Sequence, residues 1–351
     1  MRKKKVTMQQ IADQVGVSKF AVSQALSGKN GVSEETRTKI IQTASALGYR
    51  ISNPAPSDKP LKQKVDFDKN NTGDRNTVII LMPNVRFQDS KSGFWGKIVF
   101  SVSTELENLG KRIMMLTEQN AEGLTKIINP DAILGLIGVG YIARPLLLEI
   151  RNSQIPFVLV DHEDPLIPCD SVFMNNYDAF RKLTTHLYSL GHTHMRFVGP
   201  PAYSRSFHDR WLGFRMILEE NGLSLPPSDD PFIAYEEKEA YEWLEKNVDL
   251  LIEREQLPTV FVCANDFFAN MMIEILQQRN LKVPEDVSVT GFDNAEDNND
   301  LLQLTTVHVP NPLLGIRAVE VLQQRLKHPD RPFEKVLISG ELLLRQTVRK
   351  I

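Results

Sequence analysis

The residues best suited to chemistry crowd the start of the chain. Arg2, Lys3, Lys4, Lys5, Lys19, Lys29, Arg37, Lys39 and Arg50 face only Asp13, Glu34 and Glu35, so residues 1–50 carry a formal charge of +6. The whole chain has 41 Lys and Arg against 44 Asp and Glu, a net −3, which leaves −9 on everything after residue 50. A cationic segment of that density attracts a polyanion, and its fusion to an acidic remainder confines that partner to the first part. Lysines beside phosphates supply salt-dependent affinity and register, whereas a choice of sequence needs side chains that reach base edges.

Other groupings point away from catalysis. Gly135, Gly138 and Gly140 have a spacing reversed from a dinucleotide fingerprint and lie in an apolar, strand-like run, so no nucleotide loop is expected there. His192 and His194 have no carboxylate or cysteine at ligand spacing, and no metal site is expected. Cys169 and Cys263 lie far apart and read as core residues rather than as a disulfide framework or zinc knuckle. Neither Gly-x-Ser-x-Gly nor a Walker sequence occurs. An enzyme is therefore not expected, nor a metal or organic cofactor.

At about 100 to 200 residues per domain, the 351 residues predict two or three domains, and 42% apolar with 24% charged residues is ordinary for a soluble globular chain. The N-terminus lacks the apolar stretch of a secretory signal, and the most apolar run, 132–142, falls short of a membrane span. Cytoplasmic residence without a membrane partner is the expectation.

The elements that position the basic residues read as helices. Thr7 followed three residues later by Gln10 is a capping-box pattern that predicts a helix over 8–15. Gly16 supplies a permissive turn, and Ser18 caps a second helix to about residue 27, with Val22 and Leu26 inward and Ala12 small enough for close approach. Ser33, Glu34 and Glu35 open a third helix that turns Ile40, Ala44 and Leu47 to one side before Gly48 ends it. Three short helices, the first two joined by a tight turn, make an all-α helix-turn-helix headpiece over 1–50. Its second helix enters the major groove and exposes Lys19, Phe20, Ser23 and Gln24 near its start: Lys19 can donate to guanine, Gln24 can pair with adenine and Phe20 can touch a thymine methyl.

Residues 51–75, with Pro54, Pro56 and Pro60 among polar neighbours, read as a linker. Beyond it, short β-branched runs alternate with amphipathic stretches. Strands are predicted at 78–82, 113–116, 132–139, 157–160, 196–198, 260–263 and 287–290, and helices at 95–109, 177–190, 210–221, 240–253, 267–279 and 313–327. Strands separated by crossover helices imply parallel α/β sheets, and their number implies two lobes facing a cleft.

The segments Val6-Thr-Met-Gln-Gln-Ile-Ala-Asp-Gln-Val-Gly-Val-Ser18, Val32-Ser-Glu-Glu-Thr-Arg37 and Leu47-Gly-Tyr49 are followed by Gly191-His192, Arg210-Trp-Leu-Gly-Phe214, Asn265-Asp266, Val283-Pro-Glu-Asp-Val-Ser288, Gly291-Phe-Asp293, Leu304-Thr-Thr306 and Leu344-Arg345. In order and spacing they resemble the LacI/GalR family of bacterial transcription regulators over nearly the whole chain. The resemblance implies an α/β periplasmic-binding-protein-like core of two doubly wound lobes over 76–351, lobe 1 spanning 76–174 and 309–338 and lobe 2 spanning 175–308 and 339–351. It implies a homodimer on a pseudo-palindromic double-stranded DNA operator, repressing by default. No leucine heptad follows Arg345, so no tetramerisation tail is expected.

Carried over residue by residue, the family's base-reading positions fall on Lys19, Phe20 and Gln24, with Thr7, Ser18, Ala21, Ser23, Ser27 and Tyr49 at the DNA around them. Ala21 stands where Thr is frequent and Gln24 where Arg is frequent, so the operator is expected to differ at the base that Arg would read. In the linker, Asp58 occupies the position of the family's minor-groove leucine, Leu61 is the displaced alternative, and the prolines oppose a hinge helix, which together imply weaker DNA bending. Effector contacts fall on Asp161, Arg210, Asn265 and Asp293, in the strand ends and following segments where open parallel sheets bind ligands. Phe94, Trp95 and Tyr235 are aromatic candidates for stacking, Trp95 reading equally as a core residue, and Asp266 and Asp286 read as structural. The implied effector is a sugar or sugar derivative. The segment 84–93 is longer than usual in the family, which implies a larger or differently oriented ligand, and a nucleobase or phosphorylated sugar stands beside the sugar because the resemblance extends to purine and phosphosugar responders. A protein co-regulator, and then a sugar-binding enzyme, are the rival readings.

Overall fold

The structure is a computed structural model that describes residues 7–19, 21–22, 36, 39–40, 43, 75–83, 94–119, 129–227, 229–233, 240–294 and 303–351. The chain divides into two compact units, 1–72 and 73–351.

In the first unit, helix α1 (Met8–Val15) begins at the capping box: the Gln10 amide donates to Thr7 Oγ1 at 3.4 Å and the Thr7 amide to Gln10 Oε1 at 2.9 Å. Gly16, at φ 77°, ends it in the left-handed region. Ser18 then caps helical backbone at Lys19, Ala21 and Val22, its hydroxyl accepting from the Ala21 amide at 3.1 Å. Ile11, Ala12, Val22 and Ile40 are buried together, the small Ala12 among them, as the spacing predicts. Leu26, Ala44 and Leu47 lie outside the described residues, as do the linker residues 51–74 with Asp58 and Leu61.

The second unit holds two parallel sheets. The first contains β1 (Thr77–Leu81), β2 (Arg112–Leu116), β3 (Ile133–Val139), β4 (Phe157–Val160), β5 (Asp170–Met174) and β10 (Lys335–Ile338), in the spatial order β10-β5-β4-β3-β1-β2. Every pairing in it is parallel. Parallel strands need crossovers, and α2 (Trp95–Asn108) and α3 (Arg144–Asn152) supply two of them. Strands covered on both faces read as unbroken apolar runs, and the four residues of β4 are all buried. The second sheet has the order β6 (Met195–Val198), β7 (Val260–Cys263), β8 (Ser288–Thr290), flanked by α4 (Asn176–Ser189), α5 (Arg205–Glu220), α6 (Ala240–Glu253) and α7 (Asp266–Gln278). β9 (Thr306–His308) extends it through bridges from Thr290 to Thr305 and from Asp293 to His308, and pairs antiparallel with β11 (Glu341–Leu343).

The chain passes between the sheets between β5 and α4, between β9 and α8 (Asn311–Lys327), and between β10 and β11. Helix α8 returns to the first sheet, packing on α2, β3, β4 and β5. Gly315 allows its approach to α2: a Cβ there would strike Ser101 Oγ and sit 2.6 Å from the Ile98 carbonyl oxygen. Gly315→Ala is expected to lower core stability by about 1 kcal/mol or more, the clash outweighing the ~1 kcal/mol gain in helix propensity, read as a lower urea midpoint.

The structure adds elements that the sequence pattern did not predict: α3, β5, β9, β10 and β11. It also corrects one start. The helix expected from residue 210 begins at Arg205, because Ser204 caps it by accepting from the Phe207 amide at 3.2 Å. Arg210 is therefore inside the helix, on its second turn, and not at its first residue.

Candidate functional site

Four segments converge on Arg210, whose side chain is only 5% exposed. Helix α5 carries it inward from the second lobe. Its Nε donates to Asn176 Oδ1 at 2.8 Å, its Nη1 to the Ala264 carbonyl at 2.7 Å, and its Nη2 to Asp293 Oδ1 at 3.3 Å. The guanidinium lies 3.8 Å from the Phe292 ring centroid, and that ring in turn stacks on Phe180 at 5.3 Å. Three acceptors in three directions and an aromatic face hold one side chain in one orientation.

Around it stand carboxylates from strand ends. Asp161 follows β4 and accepts from the Ser206 hydroxyl, four residues before Arg210 on the same helix face. Asn265 follows β7 and caps α7, its Oδ1 accepting from the Phe268 amide at 3.1 Å. Asp293 follows β8, with its amide donating to the Val307 carbonyl at 2.9 Å. Asp161 (φ 55°), Asp293 (φ 110°) and Asn294 (φ 52°) all occupy the left-handed region disfavoured for residues with a Cβ. Such strain collects where surrounding structure imposes a working geometry.

The electrostatics follow from burial. Asp293 is pushed up to about 7 by desolvation, with Asp266 and Asp161 adding to the rise and Arg210 opposing it. Burial also raises Asp161, against the Ser206 hydrogen bond and Arg210. The same burial lowers Arg210, while Asp293, Asp161 and Asp266 resist. Among the described residues, Arg210 is thus the cation that opposes the carboxyl groups of both Asp161 and Asp293 in a buried, low-dielectric cluster.

The structure therefore brings together Asp161, Arg210, Asn265 and Asp293. It treats the aromatic candidates differently: Phe94 and Trp95 meet edge to face at 4.8 Å and pack half-buried against the apolar core. Tyr235 and the segment 84–93 lie outside the described residues, as do Phe20, Ser23, Gln24, Ser27 and Tyr49. Of the headpiece candidates that are described, Thr7, Ser18 and Lys19 are exposed and Ala21 is half-buried. Asp266 is structural, accepting from the Thr306 hydroxyl at 2.7 Å, and Asp286 accepts from the Lys282 amide at 2.7 Å.

Sequence reasoning missed Ser206, Asn176 and Phe292. Ser206 was findable, since a helix capped by Ser204 places it one turn before Arg210. The pairing of Asn176 with Arg210 depends on two helices meeting and leaves no local signal. His192 packs its ring between the Thr259 hydroxyl at 2.9 Å and the Arg349 carbonyl at 3.0 Å, pinning the last residues to the second lobe. Gly135 lies within β3, where a Cβ would meet Leu322 Cδ1 at 2.8 Å, so its smallness serves helix packing. Among the described residues there is no cluster of three metal-ligating side chains, and no helix long and apolar enough to cross a membrane.

Comparison with known proteins agrees with both units. The family profile described as bacterial regulatory proteins, lacI family, matches residues 7–52, and that of a periplasmic binding protein-like domain matches 184–348. The HTH-type transcriptional repressor PurR of Haemophilus influenzae (strain PittEE) is 26% identical, covering 98% of this chain and 99% of its own. The HTH-type transcriptional regulator DegA of Bacillus subtilis (strain 168) is 25% identical, covering 98% of each. Among solved structures, a complex of the transcriptional regulator CelR with cellobiose superposes with TM-score 0.67 at 20% identity, over 98% of this chain and 100% of that one. The lac repressor dimer bound to operator and the anti-inducer ONPF gives 0.66 at 21% identity, over 99% and 100%. A capped helix-turn-helix, two parallel α/β lobes and these full-length matches lead to one conclusion: the chain belongs to the lacI family of bacterial regulatory proteins and is a DNA-binding transcription regulator.

Proposed function

We propose that this protein is a repressor whose affinity for a pseudo-palindromic operator is set by a neutral, polyhydroxylated ligand, a sugar or sugar derivative, held at Asp161, Arg210, Asn265 and Asp293. The observation that carries the ligand class is the charge balance: among the described residues, Arg210 is the cation that opposes the buried carboxyl groups of both Asp161 and Asp293, with Asp266 close by. A phosphorylated ligand would add negative charge to a pocket already rich in it. A polyol instead offers hydroxyl donors to the carboxylates and acceptors to the Asn265 amide.

The working division is lobe 1 at 76–174 with 309–338 and lobe 2 at 175–308 with 339–351. In its support, β10 pairs with β5, while the Ile351 amide donates to Leu190 at 2.9 Å. Ligand bound between lobes changes their relative orientation, and in a homodimer this changes the spacing of two headpieces, each reading a half-site. For ligand to control DNA binding, its affinity must differ between the DNA-competent and incompetent arrangements.

In the headpiece, Lys19 is the described residue expected to touch DNA most directly, with Phe20 and Gln24 as the other base readers. Thr7, Ser18, Ala21, Ser23, Ser27 and Tyr49 are assigned to the surrounding backbone. The test is a gel shift on DNA upstream of the protein's own gene, repeated with sugars and sugar phosphates. Neutral sugars should change the midpoint and phosphates should not. Lys19→Ala should weaken binding and, if Lys19 meets a phosphate, flatten the salt dependence by about one unit of slope. A midpoint moved by no small molecule, but moved by a protein fraction, would replace this reading with control by a protein co-regulator.

A further inference from the structure

The rim of the cleft carries an ion-pair cluster separate from the Arg210 constellation. Glu163 lies two residues beyond Asp161, in the segment that leaves β4 of the first sheet. Arg205 is the first residue of α5, which packs on α4 in the second lobe. Its Nη1 donates to Glu163 Oε1, and its Nε lies 2.8 Å from both carboxylate oxygens of Asp209, one turn along the same helix. The second oxygen of Glu163 is paired with Lys335 Nζ on β10, in the first sheet. Both cationic groups lie over the ring of Phe173 on β5, Arg205 at 5.8 Å and Lys335 at 5.9 Å from its centroid. The next residue of α5, Ser206, donates to Asp161. Two consecutive residues at the helix start are thus tied to two residues at the strand exit opposite.

The members of the cluster do different work. Asp209 orients Arg205 from within the second lobe, and Lys335 orients Glu163 from within the first. Among the cluster's described contacts, the Arg205–Glu163 pair, the Ser206–Asp161 hydrogen bond and the approach of Arg205 to the Phe173 ring cross from lobe to lobe. The charged side chains are half-buried, with Arg205 35% and Glu163 26% exposed, so water and salt screen the pair only in part. Although burial works against it, Lys335 and Arg205 hold the Glu163 carboxyl below its ordinary range.

We propose that Arg205 and Glu163 form a clasp that holds the two lobes together without ligand, so that the cleft opens to its effector only when this pair breaks. The proposal rests on the reading of the cleft as a ligand site. It requires no ligand for the closed arrangement, and it makes access depend on ionic strength.

The experiment reads lobe separation directly and needs no effector. Spin labels on the full chain at Leu166→Cys and Tyr203→Cys, exposed positions on opposite lobes, report the distance across the rim. Cys169 is replaced by Ser, Cys263 is buried, and excess unlabelled protein ensures that one subunit of any dimer carries the pair. The ligand-free protein should show one short distance at low salt. Arg205→Gln and Glu163→Gln should each add a longer population, raising the open-to-closed ratio about two- to fivefold, the range for a partly exposed ion pair. Half-molar salt should do the same to the unaltered protein and little to either variant. Asp209→Asn and Lys335→Gln, which leave the crossing pair in place, should stay closed. Equal distributions in all variants at both salt concentrations would overturn the clasp. A ligand panel without effect would remove the effector reading and leave the distance result standing.

Discussion

Arg210→Ala is expected to cost the core about 3–5 kcal/mol and to abolish the response of operator binding to ligand, the cost being that of breaking a buried ion pair. The variant strips the Ala264 carbonyl and Asn176 Oδ1 of their donors and leaves Asp293 without its cation. It also removes the group packed on Phe292, opening a void beside the Phe180 stack. Part of the electrostatic loss is relieved when Asp293 takes a proton, so the destabilisation should be larger at pH 8 than at pH 6. Arg210→Lys keeps the charge, but a single ammonium cannot reach three acceptors lying in three directions, and it should fall between the two. Urea unfolding of the full chain at both pH values, with gel shifts beside it, checks the prediction. A variant within 1 kcal/mol of the parent that still responds to ligand would contradict it.

Asp293→Asn should separate stability from binding. The Asp293 carboxyl has a folded value near 7, against an ordinary 3.8. Between those values the folded chain holds a proton that the unfolded chain releases, so this group's contribution is complete below about pH 4 and is lost as the pH rises through 7. Asp161, raised by burial, acts in the same direction. Ligand binding should run the other way, because an ionised carboxylate accepts polyol hydroxyls better than a protonated one, and affinity should tighten from pH 6 to 8. The groups facing Asp293 are Arg210 from α5, Asp266 from α7 and Asp161 from the end of β4. Asparagine still accepts from Arg210 and carries no charge, so the variant should be at least as stable as the parent at pH 8 and should lose this titration. Its ligand affinity should drop by roughly ten- to a hundredfold, the worth of a hydrogen bond to a charged acceptor. Calorimetric titration with the sugar found by gel shift supplies the measurement, and undiminished affinity would remove Asp293 from the contact set.

Much of the headpiece was legible because its signals are local. A capping box at Thr7 and Gln10, a left-handed turn at Gly16 and a cap at Ser18 each satisfy backbone groups within a few residues, so spacing alone reports them. Asn265 and Asp293 were legible through motifs, but their state was not. That Asn265 gives its oxygen to a helix start, and that Asp293 sits near neutral titration, follow from neighbours far away in the chain.

β5 shows why other elements escaped the pattern. It begins with Asp170, which argues against a buried strand, yet Asp170 is 2% exposed. Its oxygens accept from Arg325 Nε at 2.7 Å and Nη2 at 3.0 Å, and from the Glu334 amide at 2.8 Å. Arg325 lies 155 residues away and is itself held by the carbonyls of Pro329, Arg331 and Pro332. A buried charge becomes acceptable only through such a partner, and no window along the chain contains both.

The amino-acid order was enough for the division into a basic segment and an acidic core, the helix-turn-helix and the parallel α/β class. All of these rest on charge, period and caps, which are properties of neighbouring residues. Folding in three dimensions was needed to gather three carboxyl groups around Arg210, to raise Asp293 and to set Arg205 against Glu163. Those are effects of burial and of distance through space, and both come into being only when distant parts of the chain are folded together.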